Sequence, residues 1–357
     1  MTHSWKGAPE GRARVAVTGV GGNVGQGVLK ALAHARIASW VVGTDAQASS
    51  AGLYLVDRGY RIPLASSPEF KDAFCRILET ERIDIAFVAA DAETIHLAHL
   101  RDDIQRRTGT RVLVADADVV ERCHDKWLAA QWCADAGVPH PATVRADDTE
   151  GVRRLCDLFG GHLVVKPRCG FGSRGVTVVK TEAEALTFAG RLGEDGIVQQ
   201  HVGTEDQEYT SAALCDGDGK PLAVAVMWRE LNLGTSYRVY PACDPALQST
   251  VHDWAARLKA AGPINFQFRM TKDGPICFEI NPRFSGTTGL RFHFGYNDVE
   301  MAVRHFVFGE EVAQPELCQG VVLRYWDEVF IPSTSWPDML DADRVVDGIP
   351  LGPHLRG

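Results

Sequence analysis

Short, almost continuous apolar runs punctuate the first third of the chain at Val15-Ala16-Val17, Trp40 to Gly43, Ile83 to Ala89 and Val112 to Val114. Their length and apolarity predict strands, and the stretch Val24 to Ala35, just after the first of them, predicts a helix. Strand and helix in alternation predict a parallel sheet with helices on its faces. Asp125 through Gly137 to Pro139 reads as an amphipathic helix stopped by Gly and Pro, which places a domain boundary near Asp116 to Arg122.

Beyond that boundary the spacing changes. Leu163 to Lys166, Gly175 to Val179 and Ile197 to Gln200 read as short strands, with a helix ending near Leu192 between the last two. Longer strands follow at Glu208 to Cys215, Leu222 to Arg229 and Ile264 to Arg269, the last paired with Ile276 to Ile280. This is the pattern of an α+β half rather than a second doubly wound sheet. The tail after Phe330, rich in Pro and Asp, reads as a loosely attached surface strand or arm.

The segments Gly262 to Arg269 and Pro275 to Asn281 are joined by Asp273-Gly274, a dipeptide that favours a reversing turn. A hairpin centred near Asp273 sets Gln267 opposite Glu279. Alternation along the strand then puts Glu279, Asn281 and Arg283 on one side, with Phe278 and Ile280 on the other. Hard cations such as magnesium take oxygen ligands, few of them from protein, and Gln267, Glu279 and Asn281 supply such oxygens. The plain alternative is a solvated polar face on an edge strand.

Other motifs carry complementary chemistry. Lys166 ends an apolar strand and leads into Arg168-Cys169-Gly170-Phe171-Gly172-Ser173-Arg174-Gly175, where glycines free backbone N–H groups to wrap phosphate oxygens. Lys126, opening the helix after His124-Asp125, adds a second candidate cation. Gln199, Gln200, His201 and Val202 end a short strand whose backbone suits an adenine edge, with Glu208 in reach of ribose hydroxyls. The turn Gly19-Val20-Gly21-Gly22-Asn23-Val24-Gly25, with Asp45 after the next strand, reads either as a dinucleotide site or as a tight strand-to-helix turn that binds nothing.

Composition narrows the classes. The 357 residues carry a formal charge of -9 and no Lys/Arg-rich run, which argues against nucleic acid or an anionic membrane as partner and for a small molecule. Nine cysteines, with no C-x-x-C pair, suit reduced thiols in a cytoplasm. No apolar stretch reaches membrane-spanning length, and Met1 to Gly11 lacks the apolar core of a signal peptide.

Taken together, the Glu279-Ile280-Asn281-Pro282-Arg283-Phe284-Ser285-Gly286 stretch, Asn265-Phe266-Gln267 and the Lys166 glycine loop resemble the ATP-grasp superfamily, in its carbamoyl phosphate synthase large-subunit-like branch. The resemblance runs from Val15 to about Gly309. It implies a mixed fold, α/β and α+β: a Rossmann-like pre-ATP-grasp domain over 1–118 that does not usually hold a dinucleotide, then a two-subdomain ATP-grasp fold. That fold comprises a small subdomain with the lid loop over 119–196 and a subdomain with adenine hinge and metal hairpin over 197–310, followed by an extension over 311–357.

The resemblance also implies roles. Lys126 and Lys166 contact nucleotide phosphates, Gly170 to Gly175 form the mobile lid, Gln199 to Val202 the hinge, and Glu208 the ribose contact. Gln267, Glu279 and Asn281 hold two magnesium ions, for which manganese can substitute, and Arg283 meets the reacting phosphoryl or acyl oxygen. Gln200 stands where the family usually has Glu. The implied reaction is carboxylate–amine ligation through an acyl phosphate on small amino-acid substrates, with a homodimer as the family habit. For the acceptor pocket the candidates are Arg229, Arg238, Ser285, Thr287, Thr288 and, first among them, Arg291, since arginines pair bidentately with carboxylates. The rival readings are a bicarbonate- or carbamate-phosphorylating enzyme, an NAD(P)-dependent oxidoreductase using Gly19 to Gly25, and a non-catalytic nucleotide sensor.

Overall fold

The structure is a computed structural model that describes residues 12–170, 174–331 and 345–347. Three of the lid residues named above, Phe171, Gly172 and Ser173, lie outside the described residues, as do Met1 to Gly11.

The first part alternates as its pattern predicts: β1 (Ala13–Thr18), α1 (Asn23–Ala33), β2 (Ser39–Asp45), β3 (Arg58–Arg61), α2 (Phe70–Thr80), β4 (Ile85–Phe87), α3 (Asp91–Thr108) and β5 (Arg111–Leu113). Strands β3-β2-β1-β4-β5 are parallel. β1 and β4 are apolar throughout because both of their faces are covered. Val15, Val17, Ile85 and Phe87 pack with Val28, Leu29 and Leu32 of α1, while Ala16 and Ala86 pack with Phe70, Phe74 and Leu97 of α2 and α3. The chain runs outward from β1 to β3 and then crosses back to β4 on the other side of β1. The loops after β1 and β4 therefore meet at the point where the winding reverses, the crevice at which open parallel sheets place ligands.

Helices α4 (Ala117–His124) and α5 (Lys126–Asp135) lead to a four-stranded antiparallel sheet, in which β6 (Thr143–Arg145), β9 (Gly196–Gln200), β7 (Leu163–Pro167) and β8 (Thr177–Val179) are neighbours in that order. Helices α6 (Thr149–Phe159) and α7 (Glu182–Leu192) cover one face through Val152, Leu155, Ala185 and Ala189. Asp148 caps α6 by accepting from Gly151 N at 2.9 Å, and Gly160 ends it in the left-handed region.

The third sheet is antiparallel and six-stranded: β14 (Gly274–Asn281), β13 (Gly262–Thr271), β10 (Glu208–Cys215), β11 (Pro221–Asn232), β12 (Thr235–Pro241) and β15 (Val322–Leu323). Helix α8 (Pro245–Leu258), with Asp244 as N-cap and Pro245 in its first turn, covers one face; its Trp254 meets Phe266 and Phe268 edge-on. The opposite face is apolar at one end, where Ala212, Ala225 and Met227 meet Leu290 of α9 (Thr288–Arg291) together with Phe294 and Tyr296. Its other end is polar. Helix α10 (Asp298–Phe306) returns to the first sheet, burying Val299, Ala302 and Val303 beside α1. In the tail, β16 (Val345–Asp347) adds an antiparallel edge strand to β3.

Candidate active site

The hairpin of β13 and β14 pairs Gln267 with Glu279 and Asn265 with Asn281, the register expected from the sequence. Two details differ. The reversal falls on Lys272-Asp273, and Gly274, at φ 108°, opens the return strand. A bulge also follows Gln267, whose neighbour Phe268 pairs with Cys277, so Phe278 is the extra residue. A bulge resets the alternation. Cys277 and Ile280 both enter the core under α8, and the Phe278 ring lies instead against the Arg269 guanidinium, 5.9 Å away. The expectation that Phe278 shares the side of Ile280 is thereby corrected.

On the polar end of the sheet face a hydrogen-bonded array crosses four neighbouring strands. Glu208 is buried; its Oε1 accepts from Arg229 Nη2 at 2.7 Å and its Oε2 from Arg269 Nη2 at 3.0 Å. Arg229 Nη2 also donates to Gln267 Oε1 at 2.7 Å. Gln267 Nε2 and Asn281 Nδ2 approach the same oxygen, Glu279 Oε1, at 3.4 and 2.9 Å. Arg283 Nη2 donates to Asn281 Oδ1 at 3.2 Å, and Arg283 Nε to Asp91 at the first turn of α3. Glu279 thus sits at the centre of the array, flanked by two amide side chains and bounded by arginines. Its oxygens and those of the two amides are hard donors of the kind magnesium takes, and the set fits that ion.

Lys166 comes from the second sheet. It is buried, and among the described residues its ammonium has no hydrogen-bond or ion-pair partner. Burial pulls its pKa down to about 8; Glu279 opposes that shift, while Lys126 and Arg269 add to it. Lys126 Nζ donates to the carbonyl of Gly170 at 2.8 Å, holding the start of the glycine loop. Arg168 is clamped to Asp125, which also caps α5 by accepting from Trp127 N at 2.9 Å. Gly170 and Gly175 flank the loop at φ 138° and 72°, values open to glycine. Arg174 is exposed.

Where the hinge is expected, Gln199 Nε2 donates to Thr143 at 2.9 Å and Gln200 Oε1 accepts from Ala142 N at 3.3 Å, so both side chains turn to β6 and its approach. His201 stacks on His162 with centroids 4.2 Å apart, and burial followed by the His162 charge lowers its pKa. The Val202 carbonyl accepts from Arg269 at 3.0 Å, which ties the hinge to the array.

The acceptor candidates divide. Arg229 stands inside the array, bridging Glu208 and Gln267. Arg238 pairs with Glu230, its cross-strand neighbour, and strand alternation turns both away from Arg229. Arg291, expected first among substrate contacts, is only 1% exposed and forked onto Asp298, also 1% exposed. Its Nη1 takes Ser285 Oγ and Thr287 Oγ1 at 2.9 and 3.2 Å, and Thr288 Oγ1 accepts from Ser285 N at 3.1 Å. Arg291 is therefore an internal staple with its donors committed, not an open carboxylate site; Ser285 and Thr287 belong to the same staple.

Sequence reasoning missed Asp91, Glu93 and Arg324. Arg324 donates from its guanidinium to Asn23 Oδ1 and to the Gly286 carbonyl, tying the segment after β15 to the start of α1. Only contacts across the whole chain reveal these residues. At the N-terminal turn, Asp45 accepts from Gly21 N at 2.8 Å and Gln47 N at 2.9 Å. A Cβ on Gly21 would stand 2.2 Å from Ser50 Oγ. The carboxylate closes the turn on itself.

A family profile described as ATP-grasp in the biosynthetic pathway with Ter operon matches residues 194–329, the stretch that carries the hinge, the hairpin and Arg324. Over those residues the chain is similar to an ATP-grasp family. It is similar to the carbamoyl phosphate synthase large chain of Agathobacter rectalis, 24% identical over 332 residues, which cover 88% of this chain and 30% of that one. It is also 27% identical over 190 residues to protein y4rH of Sinorhizobium fredii, covering 48% of this chain and 38% of the other. The chain thus spans about a third of the length of the curated relatives it matches. Among solved structures, the N5-carboxyaminoimidazole ribonucleotide synthetase of Thermus thermophilus aligns with TM-score 0.66 at 18% identity, over 86% of this chain and 81% of that one. The biotin carboxylase domain of Hydrogenobacter thermophilus 2-oxoglutarate carboxylase, solved with MgADP and bicarbonate, aligns with TM-score 0.65 at 15% identity, covering 86% and 73%. The mixed fold expected from the sequence, with its parallel and antiparallel sheets, is the fold of these ATP-grasp structures. Among the described residues no helix is long and apolar enough to cross a membrane.

Proposed function

We propose that this ATP-grasp protein is an ATP-dependent carboxylate–amine ligase acting on small acids and amines, and that the array around Glu279 is its reaction centre. The observation that carries the reading is Lys166, a buried lysine whose ammonium has no hydrogen-bond or ion-pair partner among the described residues, within electrostatic reach of Glu279, which two amides flank. A polyphosphate brings the anionic oxygens that such an ammonium lacks.

In this reading Lys126 and Lys166 hold the phosphates under the loop from Gly170 through Phe171, Gly172, Ser173 and Arg174 to Gly175. The backbone of Gln199 to Val202 meets the adenine, and Glu208, fixed between Arg229 and Arg269, takes the ribose hydroxyls. Gln267, Glu279 and Asn281 would hold two magnesium ions, or manganese in their place, which supply charge neutralisation on the phosphate oxygens. An oxygen of the acid attacks the γ-phosphorus as the bond to the β–γ bridging oxygen breaks, giving ADP and an acyl phosphate. The amine nitrogen then attacks the acyl carbon, loses a proton, and phosphate departs. Arg283, aimed by Asp91 and Asn281, lies against the transferred group, and the chain's contribution is placement and charge stabilisation.

We also propose the division of the chain at residues 118, 196 and 310, a homodimeric assembly and a cytoplasmic location, the last supported by nine cysteines without a disulfide. A second reading keeps the site and makes bicarbonate the acid, favoured by the likeness to a biotin carboxylase solved with bicarbonate. An ADP-release screen of amino acids, singly and in pairs, with bicarbonate as a separate arm and the product weighed by mass spectrometry, tests both. ADP release that needs an acid and an amine supports ligation, release with bicarbonate alone supports the second reading, and release with neither contradicts both.

A further inference from the structure

Beneath the glycine turn that follows β1 lies a second polar group outside the array. Thr18 ends β1, its parallel partner Thr44 stands on β2 beside Asp45, and Glu93 enters from the first turn of α3. All four are buried: Thr18 and Thr44 are each 1% exposed, Asp45 and Glu93 each 8%. Two of their oxygens, Glu93 Oε2 and Thr44 Oγ1, are buried and have no hydrogen-bond partner among the described residues. Native interiors rarely leave such atoms unmatched, and each one calls for a water, an ion or a ligand.

The charges say which. Among the described residues neither Glu93 nor Asp45 has an ion-pair partner; Asp45 spends its oxygens on the Gly21 and Gln47 amides, and the Thr18 hydroxyl is the group that favours ionised Glu93. Burial foremost, and Asp45 after it, push the Glu93 carboxyl up to about 7. Two carboxylates and two hydroxyls with no cation make a site for a positive hydrogen-bond donor. The group lies at the reversal of the first sheet, where the loops after β1 and β4 touch: a Cβ on Gly19 would stand 2.5 Å from Ala90 Cβ. Asp91, in the same helical turn as Glu93, is the residue that holds Arg283.

We propose that Glu93, with Asp45, Thr18 and Thr44, binds a primary ammonium group, and that this is where the amine substrate of the ligation is held. The proposal rests on the ligase reading for its role, but not for its binding chemistry. A primary ammonium supplies three N–H donors, enough for Glu93 Oε2, the Thr44 hydroxyl oxygen and one further acceptor. Quaternary ammonium has no donor and is excluded. Held beside the helix turn that fixes Arg283, the ammonium would first give a proton to the Glu93 carboxylate, and the free amine would then approach the acyl phosphate from the side of the first sheet.

The test uses the full chain, labelled with carbon-13 at glutamate carboxyls, with the Glu93 signal assigned by its loss in Glu93→Gln. Its titration is followed in methylammonium chloride and, at equal ionic strength, in tetramethylammonium chloride. Methylammonium is expected to lower the Glu93 pKa by about one unit relative to the quaternary salt, because a bound cation favours the charged carboxylate. Identical titrations in the two salts would overturn the proposal and leave Glu93 a buried acid solvated by water. With substrates in hand, Glu93→Gln is expected to raise KM for the amine at least tenfold, about 1.4 kcal/mol. The acid-dependent scrambling of oxygen between the β–γ bridge and the β-phosphate of ATP, which needs no amine, is followed in the unmodified protein as a separate report on acyl phosphate formation. An unchanged amine KM overturns the assignment. Absence of that scrambling in the unmodified protein contradicts the ligase reading instead, and leaves the titration result standing.

Discussion

Arg283 and Asp91, 192 positions apart, are joined by a hydrogen bond from Nε to Oδ1 that ties the hairpin of the third sheet to the first turn of α3. Among the described residues the guanidinium has its other hydrogen bonds on its own strand end, to the Phe284 carbonyl at 2.8 Å and to Asn281 at 3.2 Å. Among the described residues Asp91 is therefore the anchor that sets its direction from outside the hairpin. A misaimed group costs transition-state stabilisation more than ground-state binding. Asp91→Asn is expected to lower kcat by about tenfold or more with KM for ATP little changed, and Asp91→Glu to restore part of the loss. Equal losses in the two variants with a matching rise in KM for ATP would point to a general structural role.

Lys166 gives a stability signature of opposite sign to most functional residues. Its folded pKa of about 8 lies below the ordinary 10.5, so below pH 8 the folded state carries the full cost of a buried ammonium. Between those values the unfolded chain holds a proton that the folded chain has released, and stability rises with pH. Lys166→Met is expected to raise the thermal midpoint at pH 7, to lose that advantage above about pH 10, and to abolish MgATP binding measured by calorimetry. A variant that binds MgATP normally would remove Lys166 from the phosphate site.

How much of this was legible in the chain differs residue by residue. The β1–α1–β2 alternation and the register of Gln267 with Glu279 follow from short-range pattern, since apolar run length and a two-residue reversal act within a few residues. The bulge at Phe278 left no such trace, because it depends on which residues the core beneath α8 accepts. Strands β3, β6, β12 and β15 were missed: β3, β6 and β15 hold four, three and two residues and are fixed by their neighbours, while β12, seven residues long, mixes Thr, Ser, Tyr and Arg with a single aliphatic residue, Val239. Asp91, Glu93 and Arg324 take their meaning from partners far along the chain or from burial, which no local pattern encodes. Arg291 was misjudged for the same reason, since a cation near a glycine-rich segment looks open until Asp298 is seen folded against it.

The Arg291–Asp298 pair makes a separate prediction. Removing one member of a buried pair strands the other charge, at about 3–5 kcal/mol. Asp298→Asn and Arg291→Met are each expected to lower the midpoint of denaturant unfolding by that equivalent, with substrate KM values of the folded fraction unchanged. A raised KM with unaltered stability would return Arg291 to the acceptor pocket.

The turn after β1 separates two uses of a glycine-rich loop. Asp45 already takes the Gly21 and Gln47 amides, so NADPH is expected to show no binding by fluorescence titration. Asp45→Ala is expected to destabilise the fold by about 1 kcal/mol, because it removes two part-buried hydrogen bonds. Saturable NADPH binding would favour the oxidoreductase reading.

The central claim, that the Glu279 array transfers the γ-phosphoryl group of ATP to an acid, is tested most directly by acid-dependent nucleotide release in the presence of magnesium, compared between the unmodified chain and Glu279→Ala. The expected result is ADP and phosphate in equal amounts, dependent on magnesium and on both an acid and an amine, and reduced by at least about a hundredfold in Glu279→Ala. AMP and pyrophosphate as products, or ADP release that Glu279→Ala leaves intact, would contradict it.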